Sequence, residues 1–152
     1  MDPDRIETVL CDLDGVVWLS HEPIPGSVEA IARLRSTGRR VLFVTNNSRA
    51  TLAEQAASLA AIGIPAEGDV VTSASAAGVL VQPGWRVLVA GGPGVTEAVV
   101  AAGADAVPND GTVPGAPVDA VVAGLHRDFD FARLRTAARA IRDGACFIAT
   151  NT

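Results

Sequence analysis

Lysine and tyrosine are absent from this chain of 152 residues, and aromatic side chains make up only 4% of it. All 12 basic residues are therefore arginines, set against 17 acidic ones for a net charge of −5. That balance, with no basic stripe along the sequence, argues against a nucleic-acid-binding surface. Only two cysteines occur, Cys11 and Cys146, each inside an apolar run. This number excludes a disulfide framework or a cysteine-rich metal site and predicts buried free thiols in a reducing compartment. No uncharged apolar run approaches the length needed to span a membrane. The start, Met1-Asp2-Pro3-Asp4-Arg5, is polar and acidic where a signal peptide would be basic and then apolar, so a cytoplasmic location is expected.

Hydrophobic residues reach 49% and charged ones 19%, enough apolar side chain for a packed core. Much of it is Ala and Val, which suits helices lying close against a buried sheet. Short Val/Leu/Ile runs alternate with helical patterns, the mark of βα units and a parallel sheet. Strands are expected at Thr8 to Cys11, Arg40 to Val44, Asp69 to Val71, Arg86 to Ala90, Asp119 to Ala123 and Cys146 to Ala149. The near-continuous apolar character of the first predicts burial on both faces. A helix opens at Pro25-Gly26-Ser27, carries Val28, Ile31 and Leu34 at spacing three, and ends near Gly38. Thr51 and Glu54 have capping-box spacing at the start of a second helix running to Gly63. Ser73 is placed to cap a third, reaching Val81. A fourth covers Pro93 to Ala102. In the last, Phe131, Leu134, Ala138 and Ile141 mark the inner face, while Arg133, Arg135, Arg139 and Arg142 read as a solvated face. Gln82-Pro83-Gly84 breaks the pattern and sets a domain boundary, giving residues 1–83 and 84–152. The Pro/Gly-rich stretch from Pro108 to Pro117 reads as an exposed, mobile loop.

The chemistry concentrates at two strand ends. Cys11-Asp12-Leu13-Asp14-Gly15 presents two carboxylates separated by one residue, then a glycine where the backbone can turn sharply. Thr45-Asn46-Asn47-Ser48 offers short hydrogen-bonding side chains without charge. In open α/β sheets ligands bind outside the carboxyl ends of the strands. If these two strands are parallel neighbours, both clusters face one crevice. Two carboxylates repel a phosphate unless a divalent cation lies between, and a hard cation such as Mg²⁺ takes just such oxygen ligands. Asp12 could then attack phosphorus to give an aspartyl-phosphate, with Asp14 protonating the leaving oxygen and later activating water. Thr45 and the groups around Asn46 and Asn47 would hold the phosphoryl oxygens. A simple Asp-capped turn is the plain alternative for Asp-x-Asp-Gly. The strand before it and the Thr-Asn-Asn after the next strand weigh against that.

At these residues the chain resembles the haloacid dehalogenase superfamily. Val9 to Trp18 looks like its first motif, and Val44-Thr45-Asn46-Asn47-Ser48 like its second. Pro23-Ile24-Pro25-Gly26, Ala123 to Phe129 and Gly144 to Thr152 are similar to the NagD-like, class IIA phosphatases. The resemblance implies an α/β fold: a Rossmann-like parallel-sheet core with a partial α/β cap inserted near Gly84. It also implies Mg²⁺ bound at Asp12 and Asp14 (the latter through its backbone), Asp12 as nucleophile, Asp14 as acid/base, and phosphate held by Thr45 and Asn46. Small phosphomonoesters are the implied substrates, and a homo-oligomer is compatible with it. The family's third motif supplies a Lys and its fourth an acidic pair. This chain has no Lys and stops within what looks like the cap, which reads as a truncated member with an unpaired sheet edge. A non-catalytic module that keeps phosphate or metal affinity is the alternative. A phospho-accepting receiver domain is disfavoured because it too needs a Lys.

Three further features carry weaker signals. Gly91-Gly92-Pro93-Gly94 lacks the Gly-Lys-Ser/Thr of a phosphate-binding P-loop and reads as a turn at a helix start. Trp18 is expected in a mobile flap or half-buried in packing. His21 and His126 have no partners at metal-ligand spacing and read as surface residues.

Overall fold

In the computed structural model, residues 6–151 are described; Met1 to Arg5 and Thr152 lie outside them. The chain divides into two compact units, Met1–Thr45 with Leu52–Val71, and Asn46–Thr51 with Thr72–Thr152. The change at Val71/Thr72 falls upstream of the sequence break at Gln82-Pro83-Gly84.

The first unit is built on β1 (Thr8–Asp12) and β4 (Arg40–Thr45), which pair in parallel with Asp12 opposite Val44. Between them lie the two-residue strands β2 (Trp18–Leu19) and β3 (Glu22–Pro23) of a small hairpin, and α1 (Ser27–Ser36). Ser20 and His21 turn the hairpin with φ of 50° and 69°. Two consecutive left-handed residues give the twist that a two-residue turn requires. Neither strand is long enough to register as an apolar alternation, so the sequence does not announce this hairpin. α2 (Leu52–Ala61) follows directly after Thr51, and β5 (Val70–Thr72) completes the sheet in the order β1-β4-β5. Ile31 is buried, with Val28 and Leu34 packed beside it, as their spacing on α1 predicts. They join Leu13, Val17, Trp18, Val41, Phe43, Leu59, Ile64 and Ala66 in one core.

β1 departs from its expected burial. Leu10 is 69% exposed, and the strand alternates between exposed and half-buried positions. It is an edge strand, and among the described residues one of its faces has no covering layer. An apolar run reports what a strand tolerates, whereas burial needs a partner.

The second unit holds a four-stranded parallel sheet in the order β7-β6-β8-β9, formed by β6 (Arg86–Ala90), β7 (Asp105–Pro108), β8 (Ala120–Ala123) and β9 (Cys146–Ala149). Helices α3 (Ser73–Gly78), α4 (Pro93–Ala101) and α5 (Phe131–Arg142) cover it. Alternation along β6 divides the core. Val87 and Val89 pack with Ala74, Ala77, Val95 and Val99 of α3 and α4, while Leu88 and Ala90 pack with Ala137 of α5 and Ala145. Both faces are thus filled, which is what a parallel sheet requires.

Several local expectations are corrected. Thr72, not Ser73, caps α3: its hydroxyl accepts the Ser75 N–H at 3.0 Å, and the Ser75 hydroxyl accepts the Thr72 N–H at 3.0 Å. That helix stops at Gly78, short of Val81, because bonds from Val79, Leu80 and Val81 to carbonyls three residues back tighten the chain. β7 was hidden by its terminal Pro108, which an edge strand tolerates. On α5, Phe131 and Leu134 are 76% and 50% exposed and Ala138 is also exposed; the sheet side is Thr136, Ala137, Ala140 and Ile141. Small residues win there because they allow close approach to Val121, and because the 109–111 segment docks on the helix. Asn109 donates to the Arg133 carbonyl, Arg133 Nε donates to the Asn109 carbonyl, and the Thr136 hydroxyl donates to the Gly111 carbonyl. Arg133 is accordingly half-buried rather than solvated, and the loop after Pro108 begins with buried Asn109 and Gly111. No helix among the described residues is long and apolar enough to cross a membrane.

Candidate active site

Parallel pairing of β1 and β4 puts Asp12 and Thr45 at the same, carboxyl-terminal edge of the first sheet. Asp12 ends β1 with its side chain exposed, and its Oδ1 accepts the Leu13 N–H at 2.9 Å. Beyond it the backbone folds into a tight turn: the Leu13 carbonyl accepts N–H groups from Val16, Val17 and Trp18, and Gly15 adopts φ of 84°. That left-handed conformation is the reason a glycine is needed directly after Asp14. Asp14 is exposed and Thr45 is 2% exposed.

The sequence places Trp18 in a mobile flap or half-buried in packing. It is 1% exposed, and its indole N–H donates to Asp14 Oδ1 at 3.1 Å. The ring anchors the turn in the core while its polar edge fixes one carboxylate oxygen. Replacing it by Phe should lower the unfolding free energy by about 1–2 kcal/mol, from the lost bond and the space left behind. A urea-denaturation midpoint equal to that of the parent would refute this role.

Asn46 and Asn47 follow Thr45 directly in the chain and belong to the second unit. Asn47 Oδ1 accepts the N–H groups of Arg49 at 3.0 Å and Ala50 at 3.5 Å, an Asx turn that shapes the segment. The Asn46 carbonyl accepts from the Ser73 hydroxyl and from Asn151 Nδ2. Ser48, which the sequence offers only as one more hydroxyl, is fully buried. Gly92 caps α4 and Pro93 opens it, so the Gly91–Gly94 run is the helix-start turn that its composition predicts. His21 is exposed, and His126 is half-buried with its Nδ1 accepting the Asp128 N–H.

Neither cysteine is fully buried, against expectation. Cys146 is exposed at the start of edge strand β9, and Cys11 is half-buried beside Asp12. Partial burial, and then the Asp12 charge, push the Cys11 thiol above its ordinary value. Iodoacetamide near pH 8 should therefore label Cys146 well before Cys11, as peptide mass analysis would show; faster labelling of Cys11 would contradict the raised thiol.

Asp12 and Asp14 offer exposed, hard oxygen donors, the chemistry that Mg²⁺ prefers. Among the described residues no cluster of three or more His, Cys, Asp or Glu side chains is assembled.

Residues 9–105 match the family model of haloacid dehalogenase-like hydrolases. The chain belongs to that family. Over 150 residues it is 40% identical to D-glycerol 3-phosphate phosphatase of Mycobacterium tuberculosis, an alignment covering 95% of this chain and 40% of that protein. It is 38% identical over 146 residues to the acid sugar phosphatase of Staphylococcus saprophyticus, covering 93% and 54%. The crystal structure of the M. tuberculosis glycerol phosphate phosphatase in complex with magnesium superposes with a TM-score of 0.85 at 38% identity, covering 96% of this chain and 44% of that one. The chain spans roughly half the length of the relatives it matches.

Proposed function

We propose that this chain carries the nucleophile and phosphate-binding part of a Mg²⁺-dependent phosphatase acting on small phosphomonoesters. The observation that carries this reading is the register that brings Asp12 and Thr45 to one sheet edge, with Asp14 two residues on. Magnesium, when bound at Asp12 and Asp14, supplies the positive charge that lets a phosphate approach two carboxylates. Asp12 attacks phosphorus, the bond to the leaving oxygen breaks, and Asp14 gives that oxygen its proton. Water then attacks the aspartyl-phosphate, Asp14 takes the water's proton, and inorganic phosphate leaves with Asp12 restored. Thr45, Asn46 and Asn47 orient the phosphoryl oxygens, because positioning and charge stabilisation carry most of phosphoryl transfer.

Related proteins named for glycerol phosphate and sugar phosphates support a small phosphorylated metabolite as substrate. In family terms, residues 1–83 read as part of the core and 84–152 as part of the cap. A cytoplasmic enzyme, capable of self-association and without nucleic-acid or membrane partners, fits the acidic composition. The alternative is a module that binds phosphate or metal without turnover. Phosphate release from p-nitrophenyl phosphate, with Mg²⁺ and with EDTA, separates the two. Mg²⁺-dependent release establishes the hydrolase in this chain; folded protein that binds phosphate without releasing it from the ester leaves the chain a binding part, with any turnover confined to a longer protein.

A further inference from the structure

Three strands of the second sheet, β6, β8 and β9, deliver their carboxyl-terminal ends to one short stretch, residues 46–51. After β6, the Gly94 N–H donates to the Arg49 carbonyl at 2.8 Å. After β8, the Leu125 N–H donates to the Ser48 hydroxyl oxygen at 2.8 Å, across 77 residues of sequence. After β9, Asn151 Nδ2 donates to the Asn46 carbonyl at 3.1 Å. Glycines make the approach possible. A Cβ on Gly124 would stand 2.8 Å from Ser48 Oγ, and one on Gly92 would stand 2.5 Å from Arg49 Cγ. The stretch is therefore held from three sides, and Ser48, 0% exposed, is its one side chain wholly inside that grip.

We propose that Ser48 is a positioning residue for phosphate binding: by accepting the Leu125 N–H, its hydroxyl fixes the backbone on which Asn46 and Asn47 are presented. The proposal rests on the reading of Thr45, Asn46 and Asn47 as phosphate-binding groups. Ser48 itself touches no phosphate. It acts by setting the path of a backbone that a small displacement would spoil, and a misplacement of about 1 Å in a positioning group has large effects on recognition. The sequence conceals this role because the partner lies so far along the chain.

The test compares the whole 152-residue chain with Ser48→Ala and, separately, Gly124→Ala, which keeps the hydroxyl but displaces it. Orthophosphate affinity with Mg²⁺ is measured by calorimetry at a temperature where each variant is folded. Thermal midpoints and amide exchange at Leu125 are followed in parallel. A positioning role predicts that both variants bind phosphate about tenfold more weakly, and that Ser48→Ala loses exchange protection at Leu125. A lower midpoint with unchanged phosphate affinity in both would overturn it, leaving Ser48 a packing residue only. Parent protein that binds no phosphate while Leu125 exchange still responds to Ser48→Ala would remove the reading of the phosphate site itself, and the positioning role with it.

Discussion

Gly94→Ala should unfold or severely loosen the second unit, at a cost of about 3 kcal/mol or more. A Cβ at this position would meet the Ala50 carbonyl oxygen at 2.3 Å, the Ser48 carbonyl oxygen at 2.8 Å and the Ala50 carbonyl carbon at 3.0 Å. All three are backbone atoms, so no rotamer change relieves the overlap. Separation would also stretch the Gly94 N–H bond to the Arg49 carbonyl, leaving both partners to find new ones. Gly94 lies in the first turn of α4, where Ala would otherwise be the better helix former. Propensity and packing thus predict opposite signs, and the packing term is several times larger. Urea denaturation followed by circular dichroism decides between them: an unchanged or raised midpoint for Gly94→Ala would mean that the close approach is not as drawn. Gly115, where an added Cβ meets nothing within 4 Å, serves as the control and should tolerate Ala.

On the proposed hydrolase reading, Asp12→Asn should reduce Mg²⁺-dependent turnover of p-nitrophenyl phosphate by about a thousandfold or more, since an amide oxygen is a far poorer nucleophile than a carboxylate. The fold should survive, because Asp12 is exposed and the Leu13 N–H that its Oδ1 accepts can be accepted equally by an amide oxygen. A further signature separates lost chemistry from lost structure. In EDTA, orthophosphate should bind Asp12→Asn more tightly than the parent, because one of two like charges facing the anion has been removed. Asp14→Asn should cost less, about a hundredfold, if its role is proton transfer. Parent-like turnover in Asp12→Asn would end the case for it as nucleophile, whatever Asp14→Asn does.

The sequence made the βα alternation, the six main strands and the two strand-end clusters legible, because each is written within a few consecutive residues. Asp12, Asp14 and Thr45 stand out as candidates because ligands gather at carboxyl-terminal strand edges and these residues follow the predicted strands Thr8 to Cys11 and Arg40 to Val44. What escaped was whatever depends on a distant partner. Trp18 reads from the sequence as a flap residue or as half-buried packing, and its full burial depends on Ile31, Val41, Phe43 and Leu59 further along the chain. Phe131 and Leu134 carry the strongest apolar signal on α5, yet the docked 109–111 segment and the small Ala137 and Ala140 decide which side meets the sheet. Leu10 and Cys146 show the limit most simply: apolar surroundings in sequence do not guarantee cover, and on edge strands β1 and β9 both are exposed.

The stretch 46–51 is covalently flanked on both sides by the first unit, yet its contacts assign it to the second. The chain therefore changes allegiance at Thr45/Asn46, again at Thr51/Leu52 and once more at Val71/Thr72, so the two units are not beads on a string. An evolutionary or laboratory exchange of residues 84–152 for those of a relative would bring in new counterparts of Gly92, Gly94 and Gly124 while leaving behind the stretch against which they fit. Such a graft is compatible only when residues 48–50 travel with it. The part of the molecule most readily imagined as interchangeable is tied to the recipient through six residues that a linear view of its modules would assign to the other side.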